Sequence, residues 1–365
     1  KADPKFFQEL KNLDIKMLSY PEVLGIFSKD KFTIAVSGTH GKTTTTAMIA
    51  KVMVDGGLDP TVIVGSLLRG STSSDGEQGR TFGSNFIAGK REYLVVEACE
   101  YQRSFLNINP TIAVVTNIDN DHLDYYKDIN DIASAFGDFV SLVPKDGCIV
   151  ANIKGDNVKG TLKGIANVVD YSTQSDLGLD LKVPGKHNIS NAKVALAVAE
   201  ILGIKREDAV RSLNSFSGIW RRFEYKGKSN SGAYVYDDYG HHPTEIKATL
   251  QGARELYPEN KIIVVFQPHL YSRTKILLQD FATAFFGANE VILAPIYAAR
   301  ENLDSSISSQ ILGAEMIRNN LKTKVVFKAE FGEIESYLNE NLRKDDVLIT
   351  MGAGEANKIS DALKV

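Results

Sequence analysis

The chain has 365 residues, of which 43% are hydrophobic and 24% are charged, and its formal net charge is -3. A chain of this size can bury the cores of two domains, and without a Lys/Arg-rich run it lacks the basic surface typical of nucleic-acid-binding proteins. Two cysteines are too few for a disulfide framework, and no apolar run resembles a signal peptide or a membrane span. We therefore predict a cytoplasmic protein with no nucleic acid partner and no membrane insertion, while the oligomeric state stays open.

The first part of the chain alternates apolar strands with helices. Strands are predicted at 33–36, 93–96, 112–116 and 148–151, and helices at 43–55 and 129–142. This alternation is typical of an α/β domain with a mainly parallel sheet, whose ligands bind beyond the carboxyl ends of the strands. The Gly- and Ser-rich stretch 65–89 is predicted to be a mobile connection or a pair of short antiparallel strands.

A second α/β unit follows. An amphipathic helix is predicted across 185–203 with Asn188 and Ser190 as caps, and another at 206–216. Further strands are predicted at 234–236, 261–266, 291–294, 324–327 and 347–350. The pattern restarts near Ser217. Gly352 and Gly354 lie at a strand-to-helix turn without a third glycine at 357, which disfavours a nicotinamide oxidoreductase.

The first strand leads directly into the most informative motif, Gly38-Thr-His-Gly-Lys-Thr-Thr44. Backbone N–H groups, the helix N-terminus and the Lys42 ammonium would converge on the phosphates of a nucleoside triphosphate, and Thr43 or Thr44 could offer a hydroxyl to Mg²⁺. The loop is shorter than the usual P-loop, since Val36 stands where the first glycine would be. The alternative is a Gly-rich turn that binds nothing.

Two polar residues follow neighbouring strands of the same predicted sheet. Glu97 ends the strand at 93–96, and His122 follows the strand at 112–116. A carboxylate and the Thr43 hydroxyl are suitable Mg²⁺ ligands, whereas a histidine is a less usual one. A structural role for His122 is the alternative.

The second unit carries a denser polar cluster, Asp237-Asp238-Tyr-Gly-His241-His242-Pro243, at a predicted strand end. A zinc site is the rival interpretation, but adjacent histidines point in divergent directions and no Cys or HExxH spacing accompanies them. His269 and Arg273 follow another strand, and Arg273 is suited to bind a carboxylate. Arg221 and Arg222, between the two units, either stabilise charge on a transferring phosphoryl group or form a solvated hinge.

These motifs together resemble the ATP-dependent Mur ligases of peptidoglycan synthesis, in the branch that acts on UDP-N-acetylmuramate. The resemblance covers nearly the whole chain. It rests on GTHGKTT at 38–44, EACEY at 97–101, TNI at 116–118 with Asp121-His122, GKHN at 185–188 with Asn191, RRFE at 221–224, DYGHHP at 238–243, and QPH at 267–269 with SRT at 272–274.

The resemblance implies a central P-loop ATPase-like domain with a mainly parallel sheet at 31–217 and a C-terminal Rossmann-like α/β domain at 218–365. It also implies a cell-wall ligase that uses ATP and Mg²⁺ to join UDP-N-acetylmuramate and L-alanine through an acyl phosphate. Closure of the two domains would complete the site and exclude water.

The resemblance also implies a role for each site residue. The implied catalytic residues are Lys42, Glu97, His122, His241 and Arg273. The implied nucleotide contacts are Gly38, Thr39, His40, Gly41, Lys42, Thr43 and Thr44, with Asn188 and Asn191 near adenine, Arg222 at a phosphate and Asp238 at the ribose. Thr43 and Glu97 would serve one Mg²⁺ and His122 a second, while His241, His269 and Arg273 would face the substrate carboxylates.

Three features depart from the family pattern. From the resemblance we expect the family's N-terminal UDP-binding domain to be represented only by a tail at 1–30, and the affinity for the UDP-sugar to be poor. No lysine stands near Gly137, where several relatives carry a carbamylated one, and Leu270 replaces a polar or basic residue. A ligase that recycles whole peptides, a folate-type ligase and a nucleotide-binding fragment without turnover are the alternatives.

Overall fold

The computed structural model describes residues 9–10, 12–13, 16–68, 84–162, 167–319 and 322–364. In these ranges the chain forms two mainly parallel sheets with helices on both faces, which confirms the predicted α/β class. No helix in the described ranges is long and apolar enough to cross a membrane.

The first sheet has seven strands in the order β3-β2-β4-β1-β5-β6-β7. Their bounds are β1 Phe32–Ser37, β2 Thr61–Ile63, β3 Phe86–Ile87, β4 Tyr93–Glu97, β5 Ile112–Val115, β6 Cys148–Ala151 and β7 Val168–Asp170. All neighbours pair in parallel except β2 and β3. Helices are needed on both faces because both faces of such a sheet are apolar.

The helices around this sheet are α1 Tyr20–Ser28, α2 Lys42–Asp55, α3 Ile129–Val140, α4 Val158–Thr161, α5 Lys186–Ile201 and α6 Arg206–Asn214, with 3₁₀ turns at Tyr101–Asn107 and Tyr171–Thr173. Alternate residues of β1 enter opposite cores. Ile34 and Val36 pack in the cluster that includes α2 and α5, whereas Ala35 packs in the cluster that includes α3. The period of two places the strand between two helical layers.

The second sheet has six strands in the order β12-β11-β10-β13-β9-β8. Their bounds are β8 Glu224–Lys228, β9 Tyr234–Asp238, β10 Ile262–Phe266, β11 Glu290–Leu293, β12 Lys324–Phe327 and β13 Val347–Met351. The helices around it are α7 Pro243–Leu256, α8 Tyr271–Ile276, α9 Leu278–Ala282, α10 Ser309–Asn319, α11 Phe331–Asn341 and α12 Asn357–Leu363. Only β8 and β9 pair antiparallel.

The predicted strands and helices are confirmed within a few residues, but two details of the prediction are wrong. The helix at 185–203 begins at Lys186 after Gly185, whose φ is 96°, so Asn188 and Ser190 lie inside it and do not cap it. The sequence also failed to indicate β2, β7 and β8, which are short or edge strands. In the stretch 65–89, residues 69–83 lie outside the described ranges, and β3 pairs antiparallel with β2, which precedes the stretch.

The carboxyl ends of the two sheets face each other across a cleft. The Thr244 hydroxyl donates to Asp119 at 2.9 Å, and Arg273 pairs with Asp121 at 2.8 Å. Arg300 pairs with Asp124 at 2.6 Å. The loop that follows β5 therefore contacts three separate segments of the second sheet's ligand edge.

Candidate functional site

The motif at residues 38–44, called the phosphate loop after its predicted ligand, connects β1 to α2 and includes the first residues of α2. It is hydrogen-bonded to the loop that follows β5. Gly38 has φ 139° and Gly41 has φ 80°, and a side chain on Gly38 would collide with Thr116. The Thr39 and His40 N–H groups donate to the carbonyl and side-chain oxygens of Asn117 at 3.0 and 2.9 Å. Glycine is required because these backbone conformations exclude ordinary side chains.

Lys42 is the first residue of α2, and its ammonium folds back onto the loop. Its Nζ donates to the carbonyls of Gly38 at 2.6 Å and Thr39 at 2.9 Å, and to Glu100 Oε1 at 3.0 Å. Burial by itself would lower the pKa of Lys42, but the nearby carboxylates of Glu100 and Glu97 outweigh it and raise the pKa. The lysine is therefore charged at neutral pH.

Glu97 and Thr43 lie together beside this lysine, as the sequence predicts. The Thr43 hydroxyl donates to Glu97 Oε1 at 2.9 Å, and the Gly65 N–H donates to Glu97 Oε2 at 2.6 Å. A hydroxyl and a fixed carboxylate are the oxygen donors that Mg²⁺ prefers, so these two residues fit the ion. Gly65 carried no functional prediction, and nothing in its Gly/Ser-rich surroundings indicated this contact.

His122 lies on the other side of Lys42. Its Nε2 is 3.5 Å from Glu100 Oε1 and 3.8 Å from Asp121 Oδ2. The ring also lies tilted against Tyr101, with centroids 4.7 Å apart and an interplanar angle of 40°. His122 therefore faces the same buried carboxylate, Glu100, that holds the lysine.

A cavity of about 490 Å³ opens next to the loop, between the two sheets. Its walls include residues of the phosphate loop and all four of the other predicted nucleotide contacts. These lining residues are His40, Gly41, Thr44, Asn188, Asn191, Arg222 and Asp238. These seven residues are up to 198 positions apart in the sequence, from His40 to Asp238.

Three of the four distant residues of this cavity are fixed by hydrogen bonds. Asn188 donates to the Pro184 carbonyl at 2.7 Å, and Asn191 Oδ1 accepts from Thr45 at 3.1 Å. Asp238 accepts from the backbone N–H groups of Phe223 and Gly240, each at 2.7 Å. Their orientation is therefore set before any ligand binds.

The two adjacent arginines have different environments. Arg221 is buried, pairs with Asp237 at 2.8 Å and donates to the carbonyls of Gly352 at 2.7 Å and Gly354 at 3.1 Å. The Gly352 turn therefore offers its carbonyls to an arginine. Arg222 instead lines the cavity, 3.6 Å from Glu245. Of the pair, Arg222 is the residue placed to meet a ligand.

Arg273, His241 and His269 form a second polar group at the cleft. Arg273 donates to Asp121 Oδ1 at 2.8 Å and to His269 Nδ1 at 3.1 Å, and the two imidazole rings are 5.7 Å apart. Burial lowers the pKa of His241 to about 4 and that of His269 to about 3. Both rings are neutral at pH 7, so Arg273 is the cation of this group.

The zinc interpretation of the paired histidines fails on geometry. The His241 Nδ1–H donates to the Tyr239 carbonyl at 3.1 Å. The His242 Nε2–H donates to the Asn120 carbonyl at 2.8 Å, while Nδ1 accepts from the Thr244 N–H at 3.3 Å as the helix cap. His40 and Asp119 do lie close to His242, with potential ligand atoms within 4.8 Å. Because both nitrogens of His242 are used, this cluster is held by hydrogen bonds and charge.

His40 links the phosphate loop to the second sheet. Its Nε2 is 3.1 Å from Asp119 Oδ2, its Nδ1 is 3.6 Å from Glu245 Oε1, and its ring lies against His242. Burial would lower the pKa of His40, but Asp119 and Glu245 raise it to about 9. Glu245 went unpredicted, although its place three residues after the cap His242 is a recognisable capping-box spacing.

Comparison with known proteins shows which family has this arrangement. The family model described as Mur ligase middle domain matches residues 36–178, and the one described as Mur ligase, glutamate ligase domain matches residues 221–354. A Clostridium acetobutylicum protein named UDP-N-acetylmuramate--L-alanine ligase is 41% identical over 98% of this chain and 81% of its own length. A Clostridium botulinum protein of the same name is 40% identical over 97% of this chain and 80% of its length.

Solved structures agree with these sequence matches. The UDP-N-acetylmuramate-alanine ligase MurC from Thermotoga maritima superposes with a TM-score of 0.73 at 26% identity, covering 94% of this chain and 76% of that one. A murein peptide ligase from Psychrobacter arcticus, at 23% identity and a TM-score of 0.72, shares the fold over all of this chain and 83% of its own. The chain belongs to the Mur ligase family.

Proposed function

We propose that this chain joins UDP-N-acetylmuramate to L-alanine at the expense of ATP, a step of peptidoglycan precursor synthesis. The named relatives that it matches over almost its whole length support this reaction. The structural observation that carries the proposal is the 2.8 Å contact between Arg273 and Asp121, one residue before His122. This contact brings a carboxylate-binding guanidinium from the second sheet to the phosphate-binding edge of the first.

We assign the nucleotide to the cavity between the sheets. The N–H groups at the start of α2 and the Lys42 ammonium bind the β- and γ-phosphates. Asn188 and Asn191 contact adenine, Arg222 contacts a phosphate and Asp238 contacts the ribose. Residues 31–217 then form the ATP-binding domain and residues 218–365 the domain that completes the site. Both halves are needed because each supplies groups that the other lacks.

Thr43 and Glu97 would hold one Mg²⁺, and His122 would contribute to a second. When bound, the ion screens the negative charge of the phosphate oxygens and favours attack by an anionic nucleophile. The 2.9 Å hydrogen bond between Thr43 and Glu97 keeps both oxygen donors in place for it.

The substrate carboxylate attacks the γ-phosphorus of ATP, which forms the acyl phosphate and releases ADP. The amine of L-alanine then attacks the acyl carbon, a tetrahedral intermediate forms and loses a proton, and inorganic phosphate leaves as the amide is completed. Arg273 binds a substrate carboxylate in the position that Asp121 occupies here. The neutral imidazoles of His241 and His269 lie beside Arg273 and face the same carboxylate. Contacts across the cleft, such as Arg300 with Asp124, keep water from the acyl phosphate.

Phosphate release from Mg-ATP tests this proposal, with UDP-N-acetylmuramate and L-alanine, glycine, L-serine or a tripeptide added separately. Lys42→Ala should abolish release, whereas Lys51→Ala, which removes an ammonium from the far end of α2, should not. Release that requires both the sugar acid and L-alanine supports the proposal. Release that requires UDP-N-acetylmuramate and occurs with the tripeptide but with none of the single amino acids would identify a recycling ligase. Nucleotide binding without release would identify a fragment without turnover.

A further inference from the structure

Glu100 is a buried acid that the functional assignment leaves without a role. Only 2% of it is exposed, yet it lies between two residues assigned to the phosphate site. Its carboxylate oxygens are 3.0 and 2.9 Å from Lys42 Nζ, and Oε1 is 3.5 Å from His122 Nε2. Among the described residues, Oε2 accepts no hydrogen bond of good geometry. This carboxylate is thus shared between a cation and a neighbouring imidazole, with one oxygen incompletely used.

The Lys42 ammonium has no hydrogen left for a phosphate in this arrangement. An ammonium carries three donors, and here they bond the Gly38 and Thr39 carbonyls and Glu100. The two carbonyls belong to the loop itself and neutralise no charge. An incoming phosphate, being anionic, competes most directly with the Glu100 carboxylate. Nucleotide binding therefore requires Lys42 to exchange Glu100 for phosphate.

That exchange leaves Glu100 as an unpaired anion beside a triphosphate. Glu97 already adds a second carboxylate at this side of the lysine, so the site carries more negative charge than one ammonium balances. Carboxylate and phosphate repel each other in a buried site unless a cation lies between them. The nearest further ligand for such a cation is the His122 imidazole.

We propose that Glu100 exchanges partners: it holds Lys42 until a nucleoside triphosphate takes that ammonium, and it then binds a divalent cation together with His122. This proposal rests on the assignment of ATP to the phosphate loop. It adds Glu100 to the ligands of the second cation site and gives it a separate role before nucleotide binds, as the counter-charge that the nucleotide must displace.

The two roles predict effects of opposite sign for Glu100→Gln, which keeps the size of the side chain and removes its charge. Without divalent cations, the variant should bind the non-hydrolysable analogue AMP-PNP about tenfold more tightly than the native chain, because Lys42 is released and one repulsive charge is gone. With Mn²⁺, it should bind the analogue about tenfold more weakly, because the second cation has lost a ligand. A merely structural role would move both affinities in the same direction.

Calorimetric titration of AMP-PNP with EDTA and with Mn²⁺, combined with a paramagnetic resonance count of bound Mn²⁺, tests the proposal. We expect two Mn²⁺ per native chain with the analogue and one in Glu100→Gln. The matched control is Asp55→Asn, which removes an exposed carboxylate paired with Lys51 in the same helix and should leave both affinities and the count unchanged. Glu97→Gln should weaken binding with Mn²⁺, and in EDTA it should strengthen binding less than Glu100→Gln does, because Glu97 bonds Thr43 and not the Lys42 ammonium.

Weaker binding of Glu100→Gln under both conditions, or an unchanged Mn²⁺ count, would overturn the proposal. If Glu100→Gln fails to fold by circular dichroism, Glu100→Asp replaces it. The shortened carboxylate keeps the charge, so affinity in EDTA should change less than about twofold while affinity with Mn²⁺ falls, and unchanged affinity with Mn²⁺ would be contrary evidence. If the native chain binds no AMP-PNP at all, the functional assignment itself fails, which is a separate outcome.

Discussion

Replacement of His40 by glutamine removes a charge that links the phosphate loop to the second sheet. Glutamine can still donate a hydrogen bond toward Asp119, which lies 3.1 Å from the imidazole, but it cannot carry the imidazolium charge between Asp119 and Glu245. The variant therefore separates the contribution of charge from that of shape and hydrogen bonding.

The magnitude follows from the pKa of His40, which is about 9 in the folded chain against 6.5 ordinarily. At about 1.4 kcal/mol per pKa unit, this difference corresponds to about 3 kcal/mol of stability. Because the folded-state pKa is raised, this stability is fully present below pH 6.5 and is lost as the pH rises through 9.

The other charged groups that face His40 do not titrate in this window. Hydrogen bonding to His40 lowers the pKa of Asp119. Burial opposes ionisation of Glu245 and Asp121, but neighbouring positive charges hold the pKa of each well below its usual value. Burial and the charge of His40 lower the pKa of His242. A change in stability between pH 6.5 and 9 in this cluster therefore reports His40.

Urea unfolding of the native chain and of His40→Gln at pH 6, 7.5 and 9.5 measures the effect. The native chain should be more stable at pH 6, and the difference between the two midpoints should shrink steadily as the pH rises. His187→Gln is a control of opposite sign: burial lowers the pKa of His187, so its contribution to stability should rise between pH 6 and 7.5 and stay constant between pH 7.5 and 9.5. A deficit in His40→Gln that is equal at all three pH values, or that grows with pH, would refute the assigned charge.

Three further substitutions test other parts of the site. Gly38→Ala should weaken nucleotide binding at least about tenfold and destabilise the chain by about 1–3 kcal/mol, because the new side chain would overlap Thr116. If a fluorescent ATP analogue still bound this variant with normal affinity, the assignment of the loop would be contradicted. Arg273→Lys keeps the charge but loses the fork that bonds Asp121, so steady-state kcat/KM should fall about 10–100-fold, and retained activity would argue against carboxylate binding here. Arg300→Gln removes the exposed ion pair with Asp124, which is worth under about 1 kcal/mol. The thermal midpoint of unfolding should therefore stay the same while kcat/KM falls a few-fold. An equal loss of stability and activity would contradict the role of this contact in keeping water from the acyl phosphate.

The phosphate loop was predictable because its signals are local. Gly38 and Gly41 have positive φ angles that favour glycine, and Lys42 begins the helix that the apolar pattern indicates. The strand that ends at Glu97 and the strand that precedes His122 are likewise short apolar runs, and each can be recognised from fewer than ten residues. Parallel pairing then places the carboxyl ends of β4, β1 and β5 side by side, so the meeting of these residues also follows from the sequence.

The error at Asn188 is local, whereas the omissions concern groups whose partners are distant in sequence. Asn188 looked like a helix cap because its type favours that position, but Gly185 supplies the turn. Nothing local distinguishes Arg221 from Arg222, and the structure buries one against Asp237 and exposes the other to the cavity.

The sequence by itself determined the fold class, the conformation of the loop before α2 and the polar residues at the strand ends, since each depends on backbone conformation or periodicity over a few residues. Tertiary structure alone decided which charges are paired: Lys42 with Glu100, His40 with Glu245, and Arg273 with Asp121. The reason is physical. The strength and even the sign of a charge's contribution depend on burial and on separations of a few ångströms. These are set only when the strands assemble into a sheet, as for Lys42 and Glu100, and when the two sheets face each other, as for Arg273 and Asp121.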